Sequence, residues 1–219
     1  MVTCLSAFKG YEASGKNEMN SRADRFEWSG GHPALDFVNT LDERPSDQPI
    51  ENLATYRDLA RFTELAGLVE PRIARPLQRL RDPASLHIVK RARRLREHLH
   101  DLLAATTSGR QVRQPDLDAV GAAIQAAHAA RALVASRSAG LVKYRWRSHR
   151  TPEIPLHACA LAIESLLVDE ERKRIRKCGA PDCDVYYLDT SKGQRRQWCS
   201  MKACGNREKQ RRRRAVTRS

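Results

Sequence analysis

The stretch that decides the fold is Cys178-Gly-Ala-Pro-Asp-Cys183, followed after fifteen residues by Cys199-Ser-Met-Lys-Ala-Cys204. Both loops have the spacing C-x4-C, and four thiols grouped in this way are typical of a closed tetrahedral zinc site. In a reducing compartment, clustered cysteines bind metal more often than they form disulfides. We therefore predict one structural Zn2+ bound by Cys178, Cys183, Cys199 and Cys204. A redox-active or disulfide-bonded set is the alternative.

Positive charge is concentrated at the same end of the chain. The 219 residues have a net charge of +14, and residues 171–219 contain 16 Lys and Arg against 5 Asp and Glu. The preceding residues contain 24 Lys and Arg against 21 Asp and Glu. A dense basic module beside a metal site is typical of nucleic-acid binding, because phosphates attract Lys and Arg. A solvated tail without a partner is the alternative.

The composition around the cysteines predicts a small folded module over residues 171–219. Residues 184–188 favour a strand, residues 194–198 a returning strand, and residues 206–216 a basic C-terminal helix. The order of first knuckle, hairpin, second cysteine pair and helix predicts a treble-clef-like Cys4 zinc module. So short a module buries little apolar surface, so its metal should supply most of its folding free energy.

The rest of the chain predicts a mainly α fold with a small antiparallel β element. Residues 1–25 are polar and aperiodic and are expected to be disordered, and residues 26–170 form the helical domain. Alternation over residues 132–147 predicts a hairpin. No apolar run is long enough to span a bilayer, so we expect a cytoplasmic protein without a membrane partner. Helices are expected from Pro33, over residues 53–69, from Pro83 to Ser108, from Pro115 to Arg131, and up to Val168.

Two motifs resemble known families. The cysteine loops, with Tyr187-Leu-Asp-Thr-Ser191 between them and Cys204-Gly-Asn-Arg207 at the end, closely resemble the CGNR zinc finger. The upstream stretch Ala34-Leu-Asp-Phe-Val-Asn-Thr40 resembles the ABATE domain that commonly precedes this finger. Proteins of this family are bacterial and are described as stress-related transcription regulators. The resemblance implies a bacterial regulator that binds DNA through the finger.

Cationic side chains near the second cysteine pair are the candidate nucleic-acid contacts. Arg207, Arg211 and Arg214 lie at helical spacing and can share one face. Phosphate contacts need only charge and are the general expectation, whereas a bidentate guanine contact from Arg207 is a sharper hypothesis. Asn206 is expected to cap the helix. The candidate set is Arg195, Arg196, Arg207, Lys209, Arg211, Arg212, Arg213 and Arg214.

In the helical domain, Asp36, Asn39 and Arg44 are candidates for a pocket that binds a small-molecule effector. Local capping and helix-end hydrogen bonds are the alternative reading of these side chains. The sequence contains no nucleophile elbow, phosphate loop or H-E-x-x-H motif. We therefore assign no catalytic residue and predict that the protein is not an enzyme.

The leading functional prediction is a regulator that binds duplex DNA. Because a single finger reads little sequence, we expect a homodimer. An RNA-binding or ribosome-associated zinc protein is the alternative, since arginine-rich segments bind structured RNA readily. An enzyme with a catalytic helical domain is a third hypothesis, which no group of residues favours.

Overall fold

The computed structural model describes residues 25–81, 83–136 and 141–216, which divide into two compact units. One unit combines the chain up to Asn52 with the chain from Val168 onward, and the other is Leu53–Leu167. The predicted disordered segment, residues 1–25, lies outside the described residues except for Arg25. The domain boundary predicted near residue 170 stays a prediction.

Helices dominate the structure, and each of the sheets within the described residues has two antiparallel strands. The mainly α fold predicted from the sequence is therefore confirmed. The helices are α1 (Pro33–Val38), α2 (Tyr56–Leu65), α3 (Pro71–Leu77), α4 (Ala84–Thr107), α5 (Gln114–Ala129), α6 (Ile154–Val168) and α7 (Asn206–Val216). The strands are β1 (Leu41–Asp42), β2 (Ile50–Glu51), β3 (Arg131–Ala135), β4 (Val142–Trp146), β5 (Ile175–Lys177) and β6 (Tyr186–Leu188).

The unit Leu53–Leu167 folds around the apolar faces of α2 to α6. The periodic pattern predicted α4, which buries a long aliphatic stripe, and the hydrophobic effect favours burying such a stripe. Arg93 ties α4 to the start of α2 by donating hydrogen bonds to the carbonyls of Leu53 and Ala54. The buried stripe comprises Ile88, Val89, Ala92, Leu95, Leu99, Leu102 and Leu103.

Sequence analysis missed α3, which contains two prolines in seven residues. Pro71 lies in the first turn, where the missing N–H has no helical partner to lose. Pro76 lies inside the helix and ends the pattern early, so the segment resembles a loop in sequence. Ile73, Ala74 and Leu77 are buried, and this burial stabilises the short helix.

The hairpin predicted over residues 132–147 is present as the pair β3–β4, with Leu133 opposite Tyr144. Its turn, residues 138–140, lies outside the described residues. Trp146, at the base of the hairpin, stacks on His157 of α6 with ring centroids 6.3 Å apart. The hairpin is thus anchored at its base.

In the other unit, β6 pairs with β5 and not with residues 194–198, which form no strand. The predicted returning strand is wrong. One edge of β6 is occupied by β5, and its other edge makes hydrogen bonds with residues near α1. Both edges are therefore satisfied without residues 194–198. Across the described residues, no helix has the length and apolar character needed to cross a membrane.

The N-terminus of α2 offers a test of the fold. Thr55 and Asp58 form a capping box, in which each side chain accepts a hydrogen bond from the other residue's N–H. We expect Thr55→Ala to lower the free energy of unfolding by about 1 kcal/mol, measured by urea denaturation followed by circular dichroism. Thr55→Ser keeps the hydroxyl and should stay within about 0.5 kcal/mol of the parent. Equal losses for both variants would show that the cap contributes nothing.

Candidate metal centre and basic helix

Four cysteine sulfurs meet at one point in the structure. The Sγ atoms of Cys178, Cys183, Cys199 and Cys204 all lie within 4.8 Å of one another. The Cys183 and Cys199 sulfurs are 3.8 Å apart, and the Cys199 and Cys204 sulfurs are 3.5 Å apart. Tetrahedral zinc with Zn–S bonds of about 2.3 Å requires sulfurs about 3.8 Å apart. The donor set and its spacing therefore fit one zinc ion.

Each cysteine loop is held by hydrogen bonds from its backbone N–H groups. In the first loop, the N–H of Cys178 donates to Val185, and the N–H of Cys183 donates to Ala180. In the second loop, a π-helical turn over Met201–Gly205 is capped by the Ser200 hydroxyl, which accepts from the N–H of Ala203. These hydrogen bonds hold both loops in conformations in which the cysteine sulfurs face one another.

Trp198 packs between the two loops, where two glycines make room for it. A Cβ atom at Gly179 would lie 3.3 Å from the Trp198 ring, and one at Gly205 would lie 3.2 Å from it. Tyr187 is fully buried in the same cluster as the cysteines. Packing in this small core favours glycine at position 205, because a larger residue there would overlap Met201 and the Trp198 indole.

The four thiols cannot all ionise together without a cation. Hydrogen bonds from Cys183 and Cys199 lower the pKa of Cys178 far below its ordinary value. The hydrogen bond to Cys178 raises the pKa of Cys183 to about 12 and also raises the pKa of Cys199. Thiolates at this spacing repel one another, so a divalent cation is required for all four to form.

Arg196 was predicted as a nucleic-acid contact, and in the structure its side chain is committed to the zinc module. Its guanidinium donates to the backbone carbonyls of Trp198, Cys199 and Leu188. The same group lies over the Tyr187 ring, 4.2 Å from the centroid. Arg196 therefore ties β6 to the second cysteine loop. Its neighbour Arg195 is exposed.

A buried carboxylate organises the turn before Arg196. Asp189 accepts hydrogen bonds from the N–H and hydroxyl of Ser191 and from the N–H of Arg196. The hydrogen bond from the Ser191 side chain is the main cause of the lowered pKa of Asp189, which therefore stays ionised at neutral pH. This network shapes the loop that separates β6 from the second pair of cysteines.

The outer edge of β6 is completed by residues near α1, far away in sequence. The amide of Asn39 makes two hydrogen bonds to the backbone of Tyr186: it donates to the carbonyl over 2.9 Å and accepts from the N–H over 3.0 Å. The N–H of Leu188 donates to the carbonyl of Gly30 over 2.8 Å. The strand that follows the first zinc loop is thus held by residues 30–39.

Asp36 in turn fixes Gly30. Its buried carboxylate accepts a hydrogen bond from the N–H of Gly30 over 2.8 Å. A Cβ atom at Gly30 would lie 2.8 Å from both Asp36 Oδ1 and Leu35 Cβ, so a side chain does not fit there. Arg44, the third candidate pocket residue, donates to the carbonyl of Val38 over 3.4 Å. The hydrogen bonds of Asp36 and Arg44 are local, as in the alternative reading, whereas those of Asn39 reach Tyr186 and match neither reading. The effector pocket stays a prediction.

Helix α7 begins immediately after the π-helical turn that contains Cys204, and two of its arginines hold it against the first cysteine loop. Arg207 and Arg211 donate to opposite oxygens of Asp182 over 3.1 and 3.0 Å. Arg207 also donates to the sulfur of Cys204 over 3.2 Å. The face that carries Arg207 and Arg211 is therefore turned toward the zinc module.

The remaining candidate contacts on α7 are exposed. One face of α7 carries Lys209, Arg212 and Arg213 at the spacing i, i+3, i+4. This face lies opposite to the face that carries Arg207 and Arg211. We call these three residues the outer face of α7. Arg214 is exposed as well and lies beyond Arg207 and Arg211 along their side of the helix.

Comparisons with known families agree with this site. The ABATE family model, described as "Putative stress-induced transcription regulator", matches residues 31–170, and the CGNR zinc-finger model matches residues 174–216. A search of curated proteins found no match. Because the first match covers more than half of the chain, the protein belongs to the ABATE family. Together with the four-cysteine cluster, the finger match shows one structural zinc, held by Cys178, Cys183, Cys199 and Cys204.

Sequence reasoning brought the four cysteines together correctly and missed three features around them. It did not find the pairing of Asn39 with the backbone of Tyr186, because a backbone partner leaves no signature in the sequence. It did not assign a role to Asp182, although an acid inside a basic module is a signal for an internal ion pair. It treated Arg196 as a surface charge, whereas its guanidinium lies over the Tyr187 ring.

Replacing one zinc ligand tests the metal site. We expect the parent protein to contain one zinc per chain and Cys204→Ser to lose most of it, because an alcohol does not ionise to bind zinc at neutral pH. Metal analysis after dialysis measures the content, and Co2+ substitution reports the number of thiolate ligands by absorbance. Cys159→Ser, which alters a buried thiol outside the cluster, is the control and should keep its zinc. Full zinc content in Cys204→Ser would contradict the assignment.

Replacing Asn39 tests whether residues near α1 complete the zinc module. Asn39→Ala leaves the N–H and carbonyl of Tyr186 without this partner, which should cost about 2–3 kcal/mol of unfolding free energy. Asn39→Asp can accept from the N–H but cannot donate to the carbonyl, so it should lose stability as well. Thermal unfolding measures the loss of stability. Competition with a zinc chelator measures whether the zinc module binds its metal less tightly. The exposed Asp47→Ala serves as control, and parent-like behaviour of Asn39→Ala would contradict the role of Asn39.

Proposed function

We propose that the protein regulates transcription by binding duplex DNA through the outer face of α7. The family description supports the regulatory role, and the contact with DNA is our addition. The observation that carries the proposal is the exposure of Lys209, Arg212 and Arg213 on a helix whose opposite face is fixed to the zinc module. Three cations on one helix face can neutralise neighbouring phosphates.

Zinc gives this helix a fixed direction. Cys204 lies two residues before α7, so a metal bound to its sulfur holds the helix start. The two ion pairs with Asp182 then set the rotation of the helix about its axis. An α-helix fits the major groove of B-DNA, where phosphates on both sides are within reach of long cationic side chains. In this arrangement the zinc ion fixes the position of α7 and has no catalytic role.

The proposal divides the predicted basic residues by role. Arg207 and Arg211 orient the helix through Asp182, and Arg196 stabilises the module through backbone carbonyls. The outer face contacts DNA, and Arg195 and Arg214 are additional exposed cations of the zinc module and its helix. A bidentate guanine contact from Arg207 is left out of the proposal, because its guanidinium already binds Asp182 and Cys204.

The proposal needs no catalytic residue and assigns none. A small-molecule effector and a homodimer are not used in it and stay predictions from the sequence. DNA binding is favoured over RNA binding because the exposed cations lie on a regular helix of eleven residues, which suits a duplex groove. Structured RNA therefore enters the test as a competitor.

The triple variant Lys209→Ser/Arg212→Ser/Arg213→Ser tests the proposal. We expect the plot of log affinity against log salt for a short duplex to become shallower by about 2 to 3, because about three phosphate contacts are lost. Fluorescence anisotropy over a salt series measures this slope. Removing zinc from the parent protein with a chelator should weaken binding in the same direction.

A variant with the same change of charge controls for general electrostatics. Arg57→Ser/Arg79→Ser/Arg94→Ser removes three exposed cations from the other compact unit and should change the slope by less than about 1. Equal slopes for the two triple variants would contradict a specific role for the outer face. A strong preference of the parent for structured RNA over duplex DNA at matched salt would contradict the choice of DNA.

A further inference from the structure

The unit Leu53–Leu167 is itself strongly basic, although residues 1–170 taken together are nearly neutral. It contains 19 Lys and Arg against 10 Asp and Glu, a net charge of +9. Residues 1–52, outside this unit, contain 9 Asp and Glu against 5 Lys and Arg, and this acidic excess offsets much of the unit's charge when the first 170 positions are counted together. A unit with such an excess of positive charge attracts an anionic partner independently of the zinc module.

The exposed cations of this unit include a row on the β3–β4 hairpin. Along β4 and just beyond it, Lys143, Arg145 and Arg147 occupy every second position and therefore point to one face. All three are exposed, and residues 141–150 contain four Lys and Arg and no acid. Every second residue of a strand lies about 6.8 Å further along the backbone, so these long side chains leave the strand at a spacing comparable to that of neighbouring nucleic-acid phosphates.

The residues of β3 that lie opposite this cationic face are small or apolar and carry no charge. The register places Val134 opposite Lys143 and Ala132 opposite Arg145. Neither Lys143 nor Arg145 forms an ion pair with a carboxylate among the residues that the structure describes. The two charges are therefore not neutralised within the described part of the chain.

The base of the hairpin holds the row in place. The N–H of Arg147 donates to the carbonyl of Ala130, and its guanidinium donates to the carbonyl of Ala129. On the opposite face of the hairpin, Arg131 lies over the Tyr144 ring, 4.4 Å from its centroid, so the two faces differ in chemistry. The cationic face is thus presented by an anchored two-stranded ribbon.

We propose that the face of the hairpin formed by Lys143, Arg145 and Arg147 is a second DNA-contacting surface, which binds the phosphate backbone. The proposal rests on the proposed function in that the ligand is again duplex DNA. A two-stranded ribbon fits a B-DNA major groove, with its cations near the phosphates. A second copy of this chain is a poor partner for the face, because two rows of positive charge repel each other.

The double variant Lys143→Ser/Arg145→Ser in the full-length, zinc-loaded protein tests this surface. We expect its salt slope on a short duplex to be shallower than that of the parent by about 2, since two phosphate contacts are lost. The affinity ratio of parent to variant should then grow about tenfold as salt falls from about 200 to about 50 mM. Lys90→Ser/Arg94→Ser, which removes two exposed cations of α4, is the control with equal charge.

The outcomes separate this inference from the proposed function. If the hairpin variant matches the α4 control while the outer-face variant of α7 still loses affinity, the second surface is overturned and the proposed function stands. If only the hairpin variant loses affinity, the hairpin binds DNA and the assignment to α7 fails. Loss of binding to phosphatidylserine vesicles with unchanged binding to DNA would also overturn the inference. Lys143→Glu beside Lys90→Glu repeats the comparison with single substitutions, should a double variant fold poorly.

Discussion

Four thiols held within 4.8 Å of one another are the constraint on which the rest of the C-terminal structure depends. Their charges repel when ionised, so the arrangement is stable only with a divalent cation between them. Surrounding donors reduce the negative charge that remains: the N–H of Cys199 points to the Cys178 sulfur, and Arg207 points to that of Cys204. Because Arg207 also binds Asp182, one side chain both donates to the sulfur of a zinc ligand and fixes the orientation of α7.

The second constraint is the pairing of β6, which follows from the small size of the zinc module. A strand of three residues with β5 on one side has unpaired backbone groups on the other. Asn39 and Gly30 supply those partners, so the module depends on residues about 150 positions earlier in the chain. The family matches divide the chain near residue 170, yet the segment before Asn52 shares a compact unit with the finger. Family boundaries and structural units therefore differ in this protein.

The features that sequence reasoning found are those set by local spacing. The cysteine loops, the apolar stripe of α4, the hairpin and the basic C-terminal helix each follow from a short pattern of residues. The errors concern partners that no local pattern specifies. Residues 194–198 were predicted as the returning strand of a hairpin, but both edges of β6 are occupied, and this segment is held by hydrogen bonds with Asp189 and Arg196 instead. For the same reason, Arg207 and Arg211 could be placed on one face from the sequence, whereas their partner Asp182 could not.

The central claim is that zinc orders α7 so that its outer face meets DNA. Hydrogen–deuterium exchange of the full-length protein, with and without zinc and with and without duplex DNA, tests it most directly. The account predicts that zinc slows exchange over residues 178–216, and that DNA slows exchange further in α7 only when zinc is bound. Protection of α7 by DNA in the zinc-free protein, or no change in α7 when DNA binds the zinc-loaded protein, would contradict it.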